Sequence, residues 1–373
     1  MDGAPDSTFA ARVVAWQRQA GRHDLPWQVR DPYRVWLSEI MLQQTQVSAV
    51  IPYYLRFTGR FPDIASLARA AEDDVLSLWS GLGYYARARN LHAAAQRMAA
   101  EHGGRFPEDF DAIVDLPGIG RSTAGAIAVF AFGARHAILD GNVKRVLARY
   151  FGIEGFPGTP SVEKQLWLRA EALLPAEDVE AYTQGLMDLG ATVCTRGRPR
   201  CEACPLRGDC VAYAQGRTEE LPSPRPRKAL PEKSTVMLIL RRGGEVLLEK
   251  RPSPGIWGGL WSFPEVADAT QAQAIARERF GVEATIEAML PDVRHGFTHF
   301  GLTIRPAVLR VQRVEPRAQA PGAMWLNLEE TLDAALPAPV RGILRGLAPD
   351  ASVSTTIRTT EAQRTQRKGG SGV

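Results

Sequence analysis

The four cysteines of this chain, Cys194, Cys201, Cys204 and Cys210, fall inside one seventeen-residue window, with six, two and five residues between them. A secreted disulfide framework would spread its cysteines along the chain, whereas thiols gathered this tightly point to a metal site. No His stands nearby, so the ligand set is four thiolates, which fits a structural zinc or a 4Fe-4S cluster. Zinc ribbons use two separated Cys-x2-Cys knuckles. Here one pair has that spacing, and the tight single loop favours iron–sulfur. Arg196, Arg198, Arg200, Arg207 and Arg217 surround the loop against Glu202 and Asp209. That local excess of positive charge makes it a candidate contact for phosphate.

At 373 residues the chain is too long for one comfortable core and suits two or three domains. Apolar residues make up 45%, enough to build those cores. The net charge of +4 permits a polyanionic partner without demanding one. Met1 to Ala20 mixes Asp, Arg and Gln and contains no secretory apolar core. No run of about 18 apolar residues occurs, so no membrane contact is expected, and a soluble intracellular protein is.

Trp36 to Val47, WLSEIMLQQTQV, lacks Gly and Pro and follows Asp31-Pro32, a helix-start signal. At helical spacing Trp36, Leu37, Ile40, Met41 and Val47 form an apolar arc, and Glu39, Gln43 and Gln46 a polar stripe beside it. A Glu at the edge of an apolar patch has a raised pKa, which suits proton donation near neutrality. The alternative is a solvated helix residue. Further on, Gly81-Leu82-Gly83-Tyr84-Tyr85 interrupts two helical patterns, and its tyrosines could stack on bases or simply pack.

Asp111 to Phe132 is a second informative stretch. Leu116-Pro117-Gly118-Ile119-Gly120 makes a tight turn between a helix end and a helix beginning at Ser122. Gly118 and Gly120 allow close approach of a ligand to the backbone, and the amides at the following helix start suit a phosphate, with Arg121 adding a side chain. The pattern reads as a helix–hairpin–helix, a sequence-neutral grip on a DNA backbone; the alternative is a plain Gly-rich turn. Asp140-Gly141-Asn142 then opens another helix. Asp140 is either a cap or a carboxylate placed to stabilise a cation, the latter if Glu39 faces it.

Residues 217–233 hold four prolines among charges and read as a linker. Beyond it the pattern changes to α+β: strands at Thr235–Leu240, Glu245–Glu249, Ala284–Leu290 and Leu302–Val311, and helices at Ala272–Phe280, Leu328–Ala335 and Val340–Leu347. The loop around Phe297, Thr298 and His299 combines rings with hydrogen-bonding groups, which suits contact with a base or strand-end packing. Residues 351–373 are polar and Gly-rich and are expected to be disordered.

Four features stand in one order: the WLSEIMLQQTQV helix, Leu-Pro-Gly-Ile-Gly, Leu-Asp-Gly-Asn, and Cys-x6-Cys-x2-Cys-x5-Cys. Together they resemble the endonuclease III, or helix-hairpin-helix, superfamily of DNA glycosylases, and more narrowly the MutY-type adenine glycosylases. The resemblance spans roughly Phe9 to Leu347. It implies an all-α helix-hairpin-helix glycosylase domain with an iron–sulfur loop at 8–216, and an α+β Nudix-like lesion-recognition domain at 234–350. Lyase-active relatives carry a Lys where this chain has Ser122, so weak or no AP lyase activity is implied. The helix Ala276-Arg277-Glu278-Arg279-Phe280-Gly281 lacks the Glu pair of Nudix hydrolases, so pyrophosphate hydrolysis is not expected.

The implied reaction is hydrolytic release of adenine mispaired with 8-oxoguanine or guanine in double-stranded DNA. Glu39 would protonate adenine at N7, Asp140 would stabilise the oxocarbenium-like sugar, and Asn142 would orient Asp140 or the water. Gln43 and Tyr84 become candidates for intercalation, the hairpin from Leu116 to Ser122 for phosphate binding, and Phe297-Thr298-His299 for reading 8-oxoguanine. The four cysteines would hold a 4Fe-4S cluster. A monomer is expected, in the cytoplasm of a bacterium and associated with the nucleoid.

Overall fold

The computed structural model describes residues 7–226, 229–315 and 322–347. The tail at 351–373 lies outside the described residues. No helix among them is long and apolar enough to cross a membrane. The chain divides into two compact units, one drawn from Met1–Leu78 and Ala86–Lys228, the other from Trp79–Tyr85 and Ala229–Val373. The excursion of Trp79–Tyr85 departs from the continuous 8–216 domain expected from sequence, and it takes Tyr84 into the second unit.

The first unit is helical: α1 Ser7–Ala20, α2 Pro32–Leu42, α3 Val47–Arg60, α4 Ile64–Arg69, α5 Glu72–Trp79, α6 Ala86–Glu101, α7 Phe110–Val114, α8 Arg121–Phe132, α9 Gly141–Phe151, α10 Pro160–Ala172, α11 Val179–Asp188 and the short α12 Val211–Ala214. A π-helical turn, Leu189–Val193, leads from α11 to Cys194. Asp31 caps α2 by accepting from the amides of Tyr33 and Arg34, with Pro32 in the first turn, where its missing N–H costs nothing. The buried face of α2 carries Tyr33, Val35, Trp36, Leu37, Ile40 and Met41.

The helix ends at Leu42 rather than running to Val47. Gln43 is its C-terminal cap, and Gln46 is the residue before α3. The polar stripe of Glu39, Gln43 and Gln46 is therefore broken, and only Glu39 projects from the helix. A core of this unit is built where α1, α9, α10 and α11 meet. Phe9 of α1 packs edge-on against Tyr150 at 4.8 Å and Tyr182 at 6.4 Å, and Cys194, Cys204 and Cys210 border the same cluster.

The second unit is built on a mixed sheet. β1 Glu232–Arg242 pairs antiparallel with β2 Glu245–Lys250 and parallel with β7 Gly301–Val314, whose outer neighbour is β5 Val282–Met289. The turn joining β1 to β2 uses Gly243 at φ 60°, a left-handed conformation that suits glycine. Short strands β3 Trp261–Ser262, β4 Glu265–Val266 and β6 Val293–Gly296 pair with β2, β1 and β7. β8 Ala323–Asn327 pairs with β2 and was not foreseen from sequence. Helix α13 Ala272–Phe280 buries Ala276 and Phe280 among Leu238, Leu240, Val282 and Leu309. The helix expected at Leu328–Ala335 is a single 3-10 turn, Glu330–Asp333, ended by Ala334 in extended backbone. The last helix is α14 Ala338–Leu347.

Candidate active site

A cleft of about 1750 Å³ opens in the first unit, and Glu39, Gln43, Gly120, Ser122, Asp140 and Asn142 all line it. That is larger than a pocket for a small molecule, which spans roughly 300–1,000 Å³. Glu39 projects from α2 and has only a small part of its surface open to the cleft. Burial, and then the nearby carboxylate of Asp140, push its pKa up to about 8.

Asp140 takes the cap position and also faces the cleft. It caps α9, with Oδ1 accepting from the amide of Val143 at 2.8 Å, and it faces Glu39 closely enough to perturb it. Its Oδ2 accepts from Asn142 Nδ2 at 3.1 Å. Burial raises the pKa of Asp140, but those two donors and the charge of Arg145 oppose the shift. The donors around Asp140 favour its charged form and nothing comparable does so at Glu39, an asymmetry of the kind that divides acid and anion roles between two carboxyls.

Arg145, one turn along α9, holds this segment from behind. Its Nη2 donates to Asn142 Oδ1 at 2.8 Å and to the carbonyl of Gly190 at 2.6 Å, and its Nε donates to the carbonyl of Cys194 at 2.7 Å. One guanidinium therefore ties the Asp140–Asn142 turn to the π-helical turn and the start of the cysteine loop. Gly190 lies against the same turn: a Cβ there would stand 2.5 Å from Asn142 Cβ and 2.9 Å from its Cα. Sequence reasoning missed both residues; the one available signal was a glycine inside the helical pattern of Val179 to Ala191. Gly190→Ala is expected to displace Asn142 and slow whatever reaction the Glu39–Asp140 cleft carries out by about tenfold or more, since small misplacements of reacting groups are costly. Single-turnover kinetics with a thermal melt check this, and an unchanged rate would show that the turn is not held from this side.

The hairpin supplies backbone rather than side chains. Leu116 is a core residue, 2% exposed, whose carbonyl accepts from Ile119 N at 3.1 Å, so its side chain anchors the turn and cannot reach DNA. Gly118 is at φ 80° and packs on Asn90, while at Gly120, the cap position of α8, a Cβ would meet nothing within 4 Å. That leaves open space above the α8 amides, where an anion is favoured. Arg121 turns to Glu171 and stacks over Trp167 at 4.1 Å, so its charge is engaged within the protein. Ser122 Oγ accepts from the amide of Leu139 at 2.8 Å, tying the start of α8 to the residue before Asp140.

At the lip of the cleft Gln43 donates from Nε2 to Thr123 Oγ1 at 3.4 Å. The exposed residue is its neighbour Gln44, held at φ 57°, an uncommon backbone conformation for a non-glycine residue. Tyr84, also at positive φ and 49% exposed, belongs to the second unit. So do Phe297, Thr298 and His299. There the amide of Phe297 donates to the carbonyl of Phe300 at 2.9 Å, closing a tight loop. Phe297 stacks on the buried Phe300 at 4.5 Å and meets Trp257 at 5.5 Å, leaving Thr298 and His299 exposed. On α13, Arg279 pairs with Glu249 at 2.5 Å and Arg277 with Glu283 at 3.5 Å.

The arginine fringe of the cysteine loop is partly spent. Arg207 pairs with Glu202, Arg217 with Glu154 and Glu220, and Arg200 donates to the carbonyl of Thr192. Arg196 lines the cleft. Among the described residues no group of three or more His, Cys, Asp or Glu is arranged to hold a metal ion.

The HhH-GPD superfamily of base excision DNA repair proteins matches residues 37–172, and the NUDIX domain matches residues 235–346. The adenine DNA glycosylase of Buchnera aphidicola subsp. Acyrthosiphon pisum is 40% identical over 338 residues, covering 90% of this chain and 96% of that protein. The human adenine DNA glycosylase is 34% identical over 408 residues, covering 92% of this chain and 74% of its own length. A solved thermostable thymine-DNA glycosylase superposes with a TM-score of 0.51 at 31% identity, over 56% of this chain and 95% of that one. Identity of this extent, end to end across both units, makes the chain a member of the adenine DNA glycosylase family.

Proposed function

We propose that this enzyme removes adenine standing opposite 8-oxoguanine or guanine in double-stranded DNA, acting as a monomer. The observation that carries the reading is the pairing of two carboxyls in one cleft: Glu39, whose pKa burial and Asp140 push up to about 8, and Asp140, which accepts from the Val143 amide and from Asn142. The glycosidic bond is buried in the duplex, so the nucleotide must be extruded before the pair can reach it. Glu39 donates its proton to N7 as the bond between C1′ and N9 breaks, and the bonding electrons leave with a neutral adenine. Asp140 stabilises the positive charge growing on the sugar. Water then adds to C1′ and returns a proton to Glu39, leaving an abasic site. Asn142 keeps Asp140 oriented. The α8 amides above Gly120 hold a backbone phosphate, and the exposed Gln44, rather than Gln43, is placed to enter the base stack.

Ser122 stands where a Schiff-base lysine would be needed, and its hydroxyl is already bonded to Leu139, so release without strand cleavage is favoured. The cysteine loop fits a 4Fe-4S cluster held by Cys194, Cys201, Cys204 and Cys210. Arg149, nearly fully buried, donates to Cys194 Sγ at 3.3 Å, and backbone amides of Leu206 and of Ala212 and Tyr213 point at Cys204 and Cys210. Donors at three of the four sulfurs, one of them a buried cation, suit an anionic thiolate cluster. When bound, the cluster would fix the shape of the loop that Arg145 joins to the Asp140 segment.

Reading of the opposite base is assigned to Phe297, Thr298 and His299, where two exposed polar groups are braced by stacked rings. Duplexes with A opposite 8-oxoguanine, guanine or T, treated with alkali after incubation, test this. Base release is expected at the first two and not at A·T, with strand scission only after alkali. His299→Ala should cut the preference for 8-oxoguanine over guanine by about tenfold or more, as for loss of a base-reading hydrogen bond. Equal rates on all duplexes, or an unchanged preference in the variant, would overturn the assignment.

A further inference from the structure

Arg87 lies in the first turn of α6, 8% exposed, and its guanidinium is inserted under the end of α2. Nη1 donates to the carbonyls of Ile40 at 3.1 Å, Met41 at 2.8 Å and Gln43 at 2.6 Å, and Nη2 donates to Thr45 Oγ1 at 3.2 Å. In a continuing helix those three carbonyls would accept from the amides of Gln44, Thr45 and Val47. The guanidinium takes the place of those amides, so α2 stops and the chain turns. Its planar fork sets the acceptors in one fixed arrangement, which a lysine cannot reproduce.

The turn so formed contains Gln44 at φ 57°, exposed at the lip of the cleft. A non-glycine residue in this region is strained and persists only where its surroundings dictate it. Arg87 supplies those surroundings. It also holds the carbonyl of Ile40, the residue next to Glu39. We propose that Arg87 is a positioning residue for extrusion: it preforms the Gln43–Thr45 turn, so that the Gln44 amide is ready to fill the space left when adenine leaves the stack. Without it the turn would have to be ordered each time the duplex opened, and that ordering cost would fall on extrusion and not on bond cleavage. The proposal rests on the reading that the cleft receives an extruded adenine.

The full chain carrying Arg87→Lys or Arg87→Ala tests it, with saturating enzyme under single turnover. One substrate holds the adenine paired opposite 8-oxoguanine. A second holds it opposite a one-nucleotide gap, where no partner has to be released. A 2-aminopurine beside the target reports unstacking. On the paired substrate Arg87→Lys is expected to lose about tenfold or more in rate and most of the fluorescence rise, and on the gapped one less than about threefold, while it melts near the wild-type temperature. Equal slowing on both substrates would make Arg87 merely structural, and no slowing on either would dismiss it; both outcomes overturn the proposal. Should Arg87→Ala unfold, Arg87→Lys still decides. If the wild-type protein releases adenine from neither substrate, the reading of the cleft fails and takes this proposal with it.

Discussion

Glu39→Gln is expected to bind adenine-containing duplex DNA and release the base about a thousandfold more slowly than the wild type, within the range for loss of a general acid. The amide keeps the size and hydrogen-bonding reach of the side chain but has no acidic proton. Stability should move the other way. In the folded protein Glu39 holds its proton up to about pH 8, whereas its ordinary pKa is 4.5. Between those values the folded chain binds a proton that the unfolded chain has released, so stability is lost as pH rises through this window. Gln escapes that loss. The variant should melt higher than the wild type at pH 8 and nearly alongside it at pH 4.5. An inactive variant that is also more stable is what a strained catalytic group leaves behind when it is removed. Base-release kinetics, equilibrium binding and melts at the two pH values check all three parts, and wild-type rates in Glu39→Gln would refute the role given to it.

Asp140→Asn removes the charge, and with it the oxygen that accepts from Asn142 Nδ2, while sparing the helix cap. The amide oxygen still accepts from Val143 N, so the cap of α9 survives and a melting temperature close to wild type is expected. What goes is the anion under the departing sugar, and base release should drop by about 10²–10³, the usual loss when a charge-stabilising group is removed. A second signature follows from the pair. Asp140 is one of the two influences that raise the pKa of Glu39, so its neutralisation should shift the alkaline limb of the residual activity to lower pH. A drop in activity that only tracks unfolding, or a limb that stays in place, would mean that the two carboxyls do not act on one substrate.

Local signals were the ones the sequence carried well. Asp31-Pro32 announced the start of α2 and the Pro117–Gly120 turn announced the hairpin, because each depends on residues adjacent in the chain. Glu39 and Asp140 were named as a pair through family resemblance, and the fold supplied their proximity. The end of α2 was not legible: Leu42 is followed by good helix formers, and the stop comes from Arg87, far along the chain, competing for the helix carbonyls. Gly190 was silent for the same reason, since it acts on the Asp140 turn from another helix, and Arg145, although close in the chain, matters through its bonds to the distant carbonyls of Gly190 and Cys194. β8 escaped notice because its strand character comes from pairing with β2. The arginines around the cysteines were legible as composition only. Which of them are free is decided by partners such as Glu154, which the sequence places far away.

The most direct test of an acid at Glu39 is the pH dependence of wild-type base release, measured under single turnover with saturating enzyme and A opposite 8-oxoguanine. A protonated donor with a pKa of about 8 requires a rate that holds through neutrality and then falls about tenfold per pH unit above that point. A rate that climbs between pH 6 and 9 would mean that the group works as a base, and the division of labour between Glu39 and Asp140 would be wrong.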